Sequence, residues 1–152
     1  MSIAGTGDLK EVVVADLKAY AALVAVLPDA TQIKEAFYQG TAFDLPGVRV
    51  QVESLRPIND REQCNHMRAF LAIRSYSEKP SSDEASDVAL LIMKRLHRRY
   101  LKKTGAAPNF YIWLRSTGMI GPTLVRQNLW MAETDFSGTL YDSAAWVGAD
   151  AA

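Results

Sequence analysis

The chain has 152 residues, 49% of them apolar in the broad sense and 22% charged, with seventeen Lys and Arg balancing seventeen Asp and Glu. This is the composition of a single globular domain, 1–152, large enough to bury a core. It excludes collagen, coiled coil, disorder and a disulfide knot, since Cys64 stands alone. A net charge of zero also excludes polyanion binding by bulk charge, so any nucleic-acid role must be local.

The opening MSIAGTGDLK has no basic stretch leading into an apolar run, and the most apolar window, residues 20–27, is far too short to span a bilayer. The expectation is a soluble protein made in a reducing cytoplasm, with no membrane contact.

Over residues 8–26 the apolar side chains of Leu9, Val12, Val13, Leu17, Tyr20, Leu23 and Val24 recur at helical spacing. They predict an amphipathic helix that opens at Thr6 or Asp8 and closes at Leu27-Pro28-Asp29. Residues 31–38 read as a short strand, and 39–47 as a loop. Residues 48–55 then alternate strictly, with Val48, Val50 and Val52 on one face and Arg49, Gln51 and Glu53 on the other. After a polar turn over 57–65, Met67, Ala69, Leu71 and Ile73 alternate with Arg68, Phe70, Ala72 and Arg74. The two runs predict a long antiparallel hairpin over 48–76.

Ser81-Ser-Asp-Glu84 behind Pro80 has the form of a capping box, and Ala85, Val88, Ala89, Leu91, Ile92 and Leu96 follow at helical spacing. This second helix is expected to end at Gly105, with Lys94, Arg95, Arg98, Arg99, Lys102 and Lys103 crowding its last turns. Residues 110–114 are apolar on both faces and predict a central strand. A turn is expected over 116–122 and a second strand over 124–133. The tail, 135–152, reads as an arm that packs on a surface, leaving 8–134 as the core of the domain.

The order predicts an α+β fold, a mostly antiparallel sheet of four to five strands with two helices packed on one face and a long β-hairpin. The expected core is Leu17, Leu23, Val50, Val52, Leu71, Ile73, Leu91, Ile92, Ile112 and Leu114.

Catalytic signatures are missing: no nucleophile elbow, phosphate-binding loop, dinucleotide fingerprint or zinc-protease motif is present. Cys64-Asn-His66 brings a thiol and an imidazole close in sequence, but nothing supplies the third, orienting group, so the pair reads as structural or solvent-facing. His66 and His97 are the only histidines, too few with one cysteine for a zinc site. No catalytic, metal or cofactor-binding residue is expected, and no cofactor. Charges at the second helix's end read as dipole-matched and solvated, with phosphate contact as the competing reading. Arg49, Arg56, Arg61, Arg68 and Arg74 line the polar face of the hairpin and its turn, together with Phe70 and Tyr76. They serve either to block edge aggregation or to meet a partner; the outward aromatics favour a partner.

VVVADLKAYAALVAVLPD, GVRVQVESLRP, MRAFLAIRSYSEKPSSDEASDVALLIMKRL and FYIWLRSTGMIGPTLVRQNLW, in this order, resemble the tail terminator or tail-completion proteins of long-tailed bacteriophages. That family includes the lambda-type minor tail protein U and relatives in prophages and gene-transfer agents. The resemblance covers about residues 8–141; the turn over 57–65 and the tail do not match its pattern. It implies a non-enzymatic α+β subunit of the virion, made in the host cytoplasm and placed in the neck region of the tail. Copies would form a ring, a hexamer, that caps the head-proximal end of the tail tube, stops tube polymerisation and offers a docking face to the head. Partners implied are further copies, the tail tube protein, a head-completion or connector protein, and DNA crossing the lumen without sequence-specific binding. A closed ring needs heterologous contacts, for which a long hairpin and a terminal arm are suited. Arg56, Arg61, Arg68, Phe70, Arg74 and Tyr76 on the hairpin, with Phe136, Tyr141 and Trp146 in the tail, are the candidate subunit or tube contacts. The alternatives are a head-tail connector or head-completion protein of the neck, a small cytoplasmic enzyme using Cys64 and His66, and a nucleic-acid-binding module using Arg98 and Arg99.

Overall fold

The computed structural model describes residues 6–35, 46–58, 66–103 and 110–142. Its N-terminal segment forms two helical pieces, α1 (Thr6–Lys18) and α2 (Ala21–Val24), where one helix is expected from the sequence. The buried residues Leu9, Val13 and Leu17 keep helical spacing, but the next are Leu23 and Leu27. The break around the extended Tyr20 shifts the apolar phase and brings Leu23, not Tyr20, into the core. A 3-10 turn, Ala30–Gln32, follows, with the Asp29 carboxylate accepting from the Thr31 backbone N–H at 2.7 Å. It leads into the short strand β1 (Ile33–Glu35), the described part of the strand expected over 31–38.

The expected hairpin is present as β2 (Gly47–Pro57) and β3 (His66–Ser77), antiparallel, with its turn outside the described residues. A bulge between Val52 and Ser54 interrupts the alternation, so Val52 is only half-buried at the rim of the core.

Helix α3 (Asp83–Leu96) starts where expected, but its cap differs from the expected box. Ser81 Oγ accepts the Asp83 N–H at 3.2 Å, while Glu84 takes the Ser77 hydroxyl and the Lys79 ammonium, both at 2.7 Å. The helix buries Ala85, Val88, Ala89, Ile92 and Leu96; Leu91, expected in the core, lies at the side of that stripe, half-buried. It also ends well before Gly105. Arg98 takes a left-handed conformation (φ 60°), its N–H donates to Leu114 O at 2.9 Å, and the chain returns as β4 (Arg99–Lys103).

The largest departure is C-terminal. β5 (Phe110–Arg126) and β6 (Leu129–Asp142) form one long hairpin that turns at Gln127-Asn128. The turn expected over 116–122 lies within β5, where Gly121 (φ 91°) and Pro122 occupy a bulge and Gly118 (φ 145°) flanks another, instead of a reversal. Residues 135–142, expected in a surface arm, run through the middle of the sheet as an interior strand. The rest of that arm lies outside the described residues.

One six-stranded sheet results, in the order β1-β2-β3-β6-β5-β4, antiparallel except for β1 beside β2. Among the described residues, six strands and three helices thus replace the four to five strands and two helices expected. Both edge strands pack on α1, which makes the sheet curl around its helices. α3 lies close on β3 and β6 because Ala85, Ala89 and Ala132 are small, and because buried hydroxyls reach its carbonyls: Ser75 Oγ to Ala85 O at 2.8 Å and Thr134 Oγ1 to Ala89 O at 3.2 Å.

Candidate functional site

Successive strand residues point to opposite faces, and Met67, Ala69, Leu71 and Ile73 of β3 point into the helix-covered core. Arg68, Phe70, Arg74 and Tyr76 therefore share the other face, which carries no helix. The register adds Arg56 opposite Arg68, Glu133 opposite Arg74 and Tyr141 opposite His66. The candidate hairpin residues are thus brought together, and Tyr141 joins them from β6. Phe136 does not. It is 1% exposed and packs in the core beside Leu71, so it offers no contact surface. Arg61, Trp146 and Cys64 lie outside the described residues, as does the His66 side chain.

One half of this face is held by an ion pair; in the other, none forms among the described residues. In the first, Arg74 Nε donates to Glu133 Oε1 and Arg74 Nη1 to Gln51 Oε1, each at 2.7 Å. Asp135 lies beside them with Oδ1 buried and without a hydrogen bond. Burial first, then a hydrogen bond to Glu133 and the negative charges of Glu133 and Glu53, push its carboxyl up to about 6 against the pull of Arg74. Towards the other end lie Arg56, its guanidinium 6.0 Å from the Phe70 ring centre, then Arg68, and beyond β6 the pair Tyr100 and Trp113, whose rings are 4.7 Å apart.

The basic cluster expected at one helix end is divided. Arg95 binds Asp16 through two nitrogens at 3.1 Å, and Arg99 Nη2 reaches the same carboxylate at 2.9 Å. Asp16 thereby ties α1 to α3 and β4. Arg95 also stands over the Tyr20 ring at 5.2 Å. His97 likewise has a structural partner, its Nδ1 accepting from Ser116 N at 3.0 Å.

Sequence reasoning missed two surfaces. One is the tip of the β5–β6 hairpin, where Ile120, Leu124 and Val125 are 57%, 52% and 51% exposed. β4 pairs only with residues 110–114, so the outer edge of β5 beyond that point has no strand partner among the described residues. The other is the outward set Tyr111, Trp113 and Arg115. Its alternation with Phe110, Ile112 and Leu114 is masked in the sequence by the run's high apolarity.

Among the described residues no three His, Cys, Asp or Glu side chains cluster as a metal site would need, and no helix is long and apolar enough to cross a membrane. The arrangement is one of surfaces: a charged sheet face and an apolar hairpin tip.

Comparison with known proteins agrees with such a role. The family model described as Tail completion protein gp17 matches residues 11–118. A chain from the virion of a native gene transfer agent particle has a similar fold, with a TM-score of 0.65 at 15% identity, over 89% of this chain and 96% of that one. No curated protein matches the sequence significantly. With most of its length matched by the family model, the chain belongs to the phage tail completion protein gp17 family, and is a structural, non-enzymatic protein of the virion tail.

Proposed function

We propose that the chain forms a ring, a hexamer, on the head-proximal end of the tail tube, where it stops tube growth and presents a docking face to the neck. The family match over 11–118 carries the reading. The β5–β6 hairpin supports it. A ring is closed by heterologous contacts, in which one patch of a subunit fits a different patch of its neighbour. An apolar tip on a projecting hairpin, beside an unpaired strand edge, has the chemistry of such a patch. The gene transfer agent chain of similar fold, itself part of a virion particle, fits the same assignment. In this reading the partners are neighbouring copies, the tube protein and a head-completion or connector protein, with DNA crossing the lumen.

Disruption of the gene, followed by negative-stain microscopy of tails from its producing background, tests the proposal. Overlong, headless tails are the expected outcome. Normal-length tails that fail to join heads would transfer the chain to the connector role, and unchanged infectious particles would remove both.

A further inference from the structure

Arg56 and Arg68 stand directly opposite each other on the helix-free sheet face, and like charges in that position are destabilising. Neither guanidinium meets a carboxylate among the described residues. Other arginines are treated differently: Arg74 has Glu133, and Arg95 and Arg99 share Asp16. A cross-strand pair with no carboxylate beside it among the described residues, on the same sheet face where Arg74 has one, calls for an external anion.

The register extends the pair into a row. Arg68 lies opposite Thr139, Thr139 opposite Trp113, and Trp113 opposite Tyr100. Arg115 lies opposite Ser137 one step along β5. Arg68, Trp113, Arg115, Ser137 and Thr139 together line a notch of about 200 Å³ floored by Gly138. Two guanidiniums above two hydroxyls form a donor-rich set, which matches a phosphate oxygen cluster. With Arg56, the cations span β2 to β5, three strand spacings or roughly 14 Å, so the row suits an extended polyanion better than a single carboxylate.

We propose that this row is a binding surface for the phosphate backbone of duplex DNA, with Arg68 and Arg115 clasping a phosphate over Ser137 and Thr139 and Arg56 holding a neighbouring one. The choice of DNA rests on the reading that the ring is traversed by it. Aromatic Trp113 and the exposed Tyr100 then lie against sugar faces beside the backbone. Such contacts carry no sequence preference and weaken as salt rises, as suits a strand that must move past.

Fluorescence anisotropy of a labelled short duplex with the full-length protein tests the surface. Binding at about 50 mM salt that falls steeply by about 200 mM is expected. The R56A/R68A/R115A variant should bind roughly tenfold or more weakly, with a salt slope shallower by about 0.9 for each phosphate it no longer neutralises. R68K/R115K, which keeps charge but not the planar fork, should fall between the two. Lys94→Ala, on the exposed side of α3, should bind as the parent does. Absence of parental binding at low salt, or equal losses in the triple variant and Lys94→Ala, overturns the proposal. So does a triple variant that binds DNA normally but fails to self-associate, which would assign the row to an acidic protein surface. Tail length after gene disruption reads the ring proposal separately: DNA binding absent from the protein, with overlong tails in the disrupted background, rejects this surface alone.

Discussion

Arg74 and Glu133 face each other across β3 and β6 and meet at 2.7 Å, while Asp135, on the same face of β6, carries a carboxyl raised by burial and by that same Glu133. One carboxylate is thus shared between a cation and a second acid. An acid whose folded pKa is raised from 3.8 to about 6 binds its proton more tightly in the folded state. Its contribution to stability is full below about pH 4 and is lost as pH rises to about 6. Asp135→Asn should therefore raise the thermal midpoint at about pH 8 and leave it nearly unchanged at about pH 4. The gain at the higher pH should be about 1 kcal/mol, once solvent screening of a part-exposed carboxyl is allowed for. Equal effects at both pH values would reject the shared-proton arrangement.

Gly138 packs closely against β5. A Cβ there would lie 2.8 Å from Trp113 O and 2.9 Å from Leu114 Cδ2. Gly138→Ala should cost about 1–3 kcal/mol in urea denaturation, since backbone must shift to admit it.

Ile92 is fully buried on α3, whereas its neighbour Leu91 lies at the edge of the stripe. Ile92→Ala should cost about 2–5 kcal/mol and Leu91→Ala less than half as much. Equal losses would mean that the helix is rotated from the phase described.

Asp16 is the one acid that pairs with both Arg95 and Arg99 among the described residues. Asp16→Asn keeps the shape and removes the charge, leaving two part-buried guanidiniums underpaired. A loss of about 1–3 kcal/mol is expected, and it should shrink in the background of Arg95→Ala and Arg99→Ala, as a double-mutant cycle would register.

The hairpin tip separates assembly from folding. Leu124→Asp, at an exposed position, should change monomer stability by less than about 0.5 kcal/mol. It should nevertheless abolish self-association in sedimentation and leave tails uncapped. Normal assembly would remove the tip from the subunit contact.

Local patterning decided the elements that bury one face against a neighbour close in sequence. The period-two runs of Val48 to Leu55 and Met67 to Ile73 had only one way to hide their valines and leucines, so their strands, hairpin pairing and outward arginines were legible in the order of residues alone. The stripe of α3 and the resemblance to tail-completion proteins were legible for the same reason: each is a property of order and spacing. The remainder depended on partners distant in the chain. Gly118, Gly121 and Pro122 are turn residues by composition, yet pairing with β6 keeps Gly118 in register with Asp135 and places Gly121 and Pro122 in a bulge. Thr134, Phe136, Gly138 and Leu140 form an interior strand because β3 and β5 flank them on both sides, and Gly138 leaves the room that a Cβ would take from Trp113 O and Leu114. Arg99 leaves a predicted helix because Arg98 reverses the chain and β5 offers an open edge. Which arginines meet a carboxylate, and which stand in a row without one among the described residues, follows from strand register, a long-range relation that no window of sequence contains.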